Sequence, residues 1–308
     1  MKRLLTMLLC LLLLCGTALG EGEFPELNDQ GFYDGGEFVY ADEDAGVWRY
    51  CSDTLKVEIC RRTQKSPAQI WYEAEVWSTP DNAFAMIPWD EEERMVNQNY
   101  PYKIARANQT VLAINSDFAH LRIKQKSRVG ILLRAGEILS EKTLEHNKGT
   151  FPNLDTLALY PDGRMEVYWS DEKTAEEYQA MGAADVLAFG PVLIRDGVLN
   201  EEALEKYGTS KAPRTAIGMV EQGHYFAMML EGRHSGSKGA GVSFLAEKMM
   251  EKGCRLAFNL DGGQTSTMVF MGEQICKIGG STGRNASARK TAEILGIGTS
   301  ALVPALEE

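Results

Sequence analysis

The 308-residue chain is poor in histidine, in cysteine and in base: it holds 4 His and 6 Cys, and 32 Lys and Arg stand against 43 Asp and Glu, for a formal charge of −11. That balance lacks the basic footprint that nucleic acid demands, so no nucleic-acid partner is expected. It also requires any anionic ligand to be met by local arginines, because the overall field is repulsive. No Cys-x-x-Cys pair occurs, which argues against a thiolate metal site. No Gly-Lys-Ser/Thr follows a glycine-rich loop, so there is no P-loop. Neither a Ser-His-Asp nor a Cys-His arrangement can be read, and no internal repeat or low-complexity linker is found. Beyond the first twenty residues no apolar run approaches the ~20 residues of a membrane span.

Those first twenty residues have their own pattern. Lys2 and Arg3 precede an apolar stretch from Leu4 to Leu14, and Ala18-Leu19-Gly20 supplies small residues before a cut. This is the pattern of a secretory signal peptide over 1–20, with the mature chain starting near Glu21 and residing outside the cell or in the envelope. Cys51, Cys60, Cys254 and Cys276 remain after the cut. In an oxidising compartment they suffice for two bridges with three connectivities open. A Cys254–Cys276 bridge is expected if the strands flanking the Asp261 loop are neighbours.

Glu21 to Ala45 carries nine acids and no base, and reads as an acidic flexible lead-in over 21–45. Strand alternation follows in Thr54–Arg61 and Ala68–Trp77, a pair joined by a wide loop, within a strand-rich part of the same fold over 46–104. Asp90-Glu91-Glu92-Glu93 could open a helix that Pro101 stops. Hairpins are expected around Pro161-Asp162-Gly163, Asp196-Gly197 and Gln222-Gly223, with buried strands at Val111–Asn115 and Val129–Leu133. Val242–Lys252 has helical spacing and ends at Gly253; a shorter helix covers Thr174–Met181. Hairpins outnumber strand–helix alternations, so the expected class is α+β: a mixed, largely antiparallel β-sheet with a few packed helices. A main domain spans 105–300 and a tail 301–308.

The most informative stretch is Asn259-Leu260-Asp261-Gly262-Gly263-Gln264-Thr265-Ser266-Thr267-Met268. An apolar run enters a glycine pair, which lets backbone come close to a ligand. Asn259 and Asp261, two apart on the strand, leave one face. The stretch resembles the N-L-D-G-G-G-S-S-T-M signature of the phosphodiester glycosidase family. Val111 to Phe118, Phe189-Gly190-Pro191-Val192-Leu193 with Asp196-Gly197, Pro213-Arg214-Thr215-Ala216-Ile217-Gly218, Leu230-Glu231-Gly232-Arg233 and Arg289 to Leu295 resemble further family motifs in the family's order. Gln264 stands where a glycine or serine is usual, and Glu231 where aspartate is.

The resemblance implies an exported hydrolase that cleaves the glycosidic bond of an N-acetylglucosamine-like sugar-1-phosphodiester or a related glycoside, in envelope or exopolysaccharide metabolism. The alternative is a non-catalytic carbohydrate-binding or assembly protein that keeps the fold. Glycosidic cleavage generally uses two carboxyl groups. Asp261 and Asp117, each just after a buried strand, are the expected pair, and Glu231 is a third candidate that could instead pair with Arg233 or Arg214. A phosphodiester leaves as a stable anion, so arginine forks matter more than an acid. Arg214 and Arg233 would hold that anion. Asn259, Thr265 and Ser266 would orient the sugar; Gly262 and Gly263 are also expected to bind substrate, the backbone from Gly263 to Thr267 adding amide donors for the phosphate. A small-molecule or polysaccharide glycoside is the expected partner. No cofactor or metal ligand set is implied, with a divalent cation left open. His234 and His120 read as solvated loop histidines, His146 and His224 as surface residues, and Asn285-Ala286-Ser287 fits a glycosylation acceptor.

Overall fold

A computed structural model describes residues 22–118, 129–143, 154–277 and 289–306. The expected leader, His120, His146 and Asn285 lie outside the described residues. Three sheets make the frame. The first joins nine strands in the order β1 (Phe38–Asp42), β2 (Val47–Cys51), β3 (Leu55–Lys65), β4 (Ala68–Ser78), β15 (His224–Leu230), β14 (Arg214–Glu221), β16 (Leu256–Asn259), β12 (Val192–Arg195) and β13 (Val198–Leu199). The second runs β10 (Met165–Tyr168), β9 (Asp155–Leu159), β11 (Asp185–Phe189), β7 (Ile131–Arg134) and β8 (Glu137–Glu141). The third runs β18 (Glu273–Gln274), β17 (Met268–Phe270), β6 (Thr110–Asn115), β19 (Glu293–Thr299) and β5 (Ala85–Pro88).

The period-2 geometry of strands explains the layering. Tyr225, Ala227 and Met229 of β15 enter one core cluster, whereas Phe226, Met228 and Leu230 enter another on the opposite face. Both faces of this strand are buried, so it reads as a continuous apolar run without alternation. The same split puts Leu112 and Ile114 of β6, Leu157 and Leu159 of β9, and Leu256 and Phe258 of β16 into the shared core between the sheets. Outer faces are covered by helices. Val242, Leu245, Ala246 and Met249 of α4 (Val242–Glu251) close the first sheet. Ala175 and Tyr178 of α2 (Ala175–Ala180) close the second, and Ile104 and Ala105 of α1 (Pro101–Ala107) close the third. A further helix, α3 (Glu201–Tyr207), packs against the α4 layer through Leu204 and Tyr207.

Several expectations need correction. Among the described residues the strands form three sheets and every pairing is antiparallel, so no mixed sheet is seen there; the described residues are largely β with four short helices, with which the α+β class is loosely consistent. Residues 22–45 are built into the fold: β1 pairs with β2, Phe32 is buried, and Phe24 packs on Phe38. Most of the acids there are exposed on this ordered segment, which composition alone could not distinguish from a solvated arm. Residues 92–96 are turn, and Pro101 opens α1 at its first position, where the missing N–H costs nothing. The β3–β4 hairpin has a two-residue connection, Ser66-Pro67, in place of a wide loop. Helix α3 escaped notice although Asn200 caps it by accepting from Ala203 N. The four described cysteines are free. Cys254 sits in the α4-covered cluster and Cys276 in the shared core, so the first sheet separates the two thiols expected to bridge.

Candidate functional site

Antiparallel pairing brings the distant motifs to one place. Ala216 of β14 lies opposite Asn259 of β16, so the start of one strand meets the end of the other. Gly263 N donates to Pro213 O (2.9 Å), and Leu260 N to Thr215 O (2.9 Å). The end of β6 arrives from the third sheet, with Asp261 N donating to Ser116 O at 3.2 Å. Asn115 ties the junction. Its Nδ2 donates to Asp261 O (2.8 Å) and Ser116 O (3.0 Å), while its Oδ1 accepts from the Thr215 hydroxyl (2.7 Å) and Thr267 N (3.0 Å). With every polar atom engaged, this buried amide fixes three segments at once. It stood inside a motif, yet its side chain's role was not visible in the sequence.

Asp261 is partly exposed at its edge, but protein surrounds its carboxyl. Burial pushes its pKa from the usual 3.8 up to about 6, and the nearby Asp117 pushes the same way. Opposing them are hydrogen bonds from the Thr265 side chain and from Gly262 N (2.8 Å), and the charge of Arg289. Arg289 Nη1 itself donates to Thr265 Oγ1 at 3.1 Å, and Arg289 N to Gln264 O at 3.2 Å. Arg289 belonged to a recognised motif but was not counted as a site residue. Asn259 Nδ2 donates to Gly190 O (2.8 Å), so this amide props the Gly190-Pro191 segment. Asn259 Oδ1, Ser116 Oγ and Ser266 Oγ are buried with no hydrogen-bond partner among the described residues.

Arg214 and Arg233 flank the glycine pair. Arg214 donates through Nη2 to Ser210 O (2.7 Å) and through Nε to Ala240 O (3.4 Å). Burial lowers its pKa, as does the charge of Arg233, whereas Asp261 raises it. A Cβ on Gly263, whose φ is +67°, would stand 3.2 Å from Arg233 Nη1 and strain the backbone, so glycine is what lets this guanidinium close in. Arg214 therefore has both Arg233 and Asp261 as charged neighbours.

Asp117 is fully buried and accepts from Ala188 N at 3.0 Å. Across from it stands Arg134, also buried, with Nη2 at 3.9 Å. Arg134 forks onto Glu293 at 2.5 and 2.8 Å, and donates to Leu133 O and Val186 O. The signal for Arg134 was a lone base closing the apolar run Ile131–Leu133 of a buried strand. A cation there must be paired.

Glu231 pairs with neither Arg214 nor Arg233, the alternative that its position leaves open. Its Oε1 accepts from Tyr72 Oη (3.1 Å) and Lys277 N (2.7 Å), and its Oε2 from His234 Nε2 (2.9 Å). His234 Nδ1 accepts from Gly236 N (3.2 Å), which leaves the ring proton on Nε2 to face Glu231. His234 is thus not a solvated loop histidine; it latches the 232–241 loop onto a buried acid. Among the described residues, no group of three or more His, Cys, Asp and Glu is set to hold a metal ion, and no helix is long and apolar enough to cross a membrane.

Comparison with known proteins converges on this region. The family profile described as phosphodiester glycosidase matches residues 108–298. An uncharacterised SPbeta prophage-derived protein of Bacillus subtilis, YomE, is 24% identical over 184 residues, which is 59% of this chain and only 28% of that protein. Among solved structures, the zebrafish N-acetylglucosamine-1-phosphodiester alpha-N-acetylglucosaminidase catalytic domain, auto-inhibited by its pro-peptide, superposes with a TM-score of 0.61 at 14% identity, over 85% of this chain and 88% of that one. A Synechocystis protein gives a TM-score of 0.50 at 13% identity, over 80% and 62% of the respective chains. At these identities the structural likeness speaks for the fold.

Proposed function

The chain belongs to the phosphodiester glycosidase family, and from that premise we propose that it is an exported hydrolase cleaving the glycosidic bond of an N-acetylglucosamine-like sugar-1-phosphodiester. The observation that carries the reading is the Arg214–Arg233 pair beside Asp261 at the glycine turn. Two neighbouring guanidiniums repel each other, and an anion placed between them relieves that repulsion while satisfying their planar donors. A phosphodiester supplies such an anion. Water then adds to the anomeric carbon, the carbon–oxygen bond breaks with its electron pair going to the departing phosphate oxygen, and the products are free sugar and phosphomonoester. Asp261, with a carboxyl titrating at about 6, can take or give a proton near neutral pH. Asp117 is the second carboxylate. Glu231, with both oxygens engaged, positions the 232–241 loop that carries Arg233.

Incubation with a panel of sugar-1-phosphodiesters tests the reading: free reducing sugar and phosphomonoester should appear in equal amounts. Binding without release from any member would favour the non-catalytic carbohydrate-binding alternative. Export is tested separately by N-terminal sequencing of extracellular material, which should begin near Glu21; retention of Met1 to Gly20 would count against it.

A further inference from the structure

Away from the glycine turn lies a concavity of about 310 Å³, between the end of β10 and helix α3. Trp169 and Tyr207 line it together with Asp155, Asn200, Glu202 and Lys206. Its volume is at the lower end of the ~300–1,000 Å³ typical of small-ligand pockets, and its mix of two aromatics with a few polar groups is of the same kind. A lone exposed tryptophan would mean little. Trp169, however, is 41% exposed on the cavity wall, and its ring is braced by Arg195, whose guanidinium stands 5.5 Å from the ring centroid and is itself forked onto Glu172 at 2.6 and 2.7 Å.

The cavity is joined to the candidate site through one short piece of backbone. Asp155 Oδ2 accepts from Val192 N (2.9 Å), and Asn200 Nδ2 donates to Val192 O (2.8 Å). Two residues earlier, Gly190 O accepts from Asn259 at 2.8 Å. The Gly190–Val192 segment is therefore a shared wall, held by Asn259 on the reaction side and by Asp155 and Asn200 on the cavity side. Charge decides what fits. Asp155 and Glu202 outnumber Lys206, which disfavours a phosphate or other anion, whereas the paired arginines at the glycine turn favour one. Aromatic faces with amide and carboxyl groups around them suit the apolar C–H face and the hydroxyl rim of an uncharged sugar ring.

We propose that this cavity is a saccharide-binding subsite, and that the substrate is accordingly an extended glycan carrying the phosphodiester. The proposal rests on the hydrolase reading for its link to catalysis, but the cavity's affinity for sugar can be measured without turnover. The experiment uses the full chain as Asp261→Asn, and records saturation-transfer NMR and calorimetry with chitohexaose, cellohexaose and maltohexaose at millimolar concentration. At least one hexasaccharide should bind. Trp169→Ala should weaken it roughly three- to tenfold, the scale of one aromatic contact, and Trp169→Phe should restore most of the loss. Glu202→Ala on the exposed face of α3 should also weaken it, with circular dichroism confirming the fold of each variant. Failure of all three sugars to bind, or binding indifferent to both Trp169→Ala and Glu202→Ala, overturns the subsite. So does inorganic phosphate that competes with the bound hexasaccharide in the Arg214→Ala background, because the cavity would then be an anion site. Trp169-dependent binding in a chain that releases no sugar from any phosphodiester would uphold the subsite and reject the hydrolase reading; turnover of a small sugar phosphodiester without hexasaccharide binding would do the reverse.

Discussion

Arg289 reaches Asp261 through a hydroxyl: its Nη1 donates to Thr265 Oγ1 at 3.1 Å, and the Thr265 side chain hydrogen-bonds the Asp261 carboxyl. The guanidinium thus polarises the donor that stabilises the carboxylate, in addition to acting by its charge. Both effects oppose the burial that lifts Asp261 to about 6. Thr265→Val and Arg289→Gln should therefore each move the Asp261 titration to still higher pH. Carbon-detected NMR of the carboxyl, or the acid limb of the pH–rate profile, measures the shift. An unchanged titration in both variants would show that Thr265 and Arg289 merely shape the turn.

Replacing Asp261 by Asn keeps shape and removes the ionisable group. Loss of an acid–base function costs about 10²–10⁴-fold in rate, so turnover of a verified substrate should fall by at least that range. The main-chain bonds of Asp261 to Asn115 and Ser116 do not involve its carboxyl, so the fold should survive. Activity near the parent level, in a folded variant, would reduce Asp261 to a turn residue.

Stability should also carry the mark of two buried acids. Asp261 and Asp155 each titrate at about 6 when folded, against 3.8 for an unperturbed aspartate. The folded state holds their protons more tightly than the unfolded state does. Their contribution to stability is therefore complete below about pH 4 and is lost as pH rises through 6, by an amount of order 2 kcal/mol per carboxyl. Denaturant midpoints across pH 4 to 8 should show this decline, and Asp261→Asn should remove part of it. A profile unaffected by Asp261→Asn would mean that the carboxyl is solvated.

Much of the fold and of the site could be read from the residues, for reasons that differ by element. Alternation and short turns are local, so the β9–β10, β12–β13 and β14–β15 hairpins are legible in the sequence. Helix α4 announced itself through 3.6-residue spacing and the terminating Gly253. What escaped was non-local. The alternation of β15 between two cores is invisible when both faces are apolar, and the assignment of strands to three sheets depends on which edges meet. In the site, Asp117, Asp261, Arg214 and Arg233 stood in motifs. The hydrogen bonds that give Asn115, Arg289 and Tyr72 their places span long sequence separations, as from Tyr72 to Glu231, and no local pattern records them; His234 bonds Glu231 only three residues away, but that pairing depends on a loop fold without a periodic signal. Glu231 illustrates the limit: its extra methylene over aspartate looked like a departure, yet that reach engages three donors from three segments.

The buried Arg134–Glu293 pair gives a prediction about structure. Removing one partner of a buried ion pair leaves an uncompensated charge and costs about 3–5 kcal/mol. Arg134→Met should lower the melting temperature sharply, because Glu293 and Asp117 lose their shared cation and Leu133 O and Val186 O lose a donor. Adding Glu293→Gln should recover part of the loss, since the stranded carboxylate is then neutral. A double variant no more stable than the single one would assign the cost to the carbonyl contacts.

The last prediction separates a phosphodiester from a neutral glycoside. Arg214→Lys and Arg233→Lys keep the charge and remove the planar fork. If these side chains grip a phosphate, each change should slow hydrolysis of a sugar phosphodiester by roughly tenfold or more, because one hydrogen bond to a charged group is worth about 1.5–3 kcal/mol. A neutral aryl glycoside of the same sugar has no phosphate to lose and should suffer less. Inorganic phosphate should inhibit the parent and act more weakly on the lysine variants. Arg233 offers the cleaner measurement, since Arg214 also donates to Ser210 O and Ala240 O and its replacement disturbs the wall. Equal losses on both substrates for Arg233→Lys would detach the arginines from the leaving group. The role left to Arg214 would then be to act on Asp261 through its charge, and the chain would be better described as a general glycosidase.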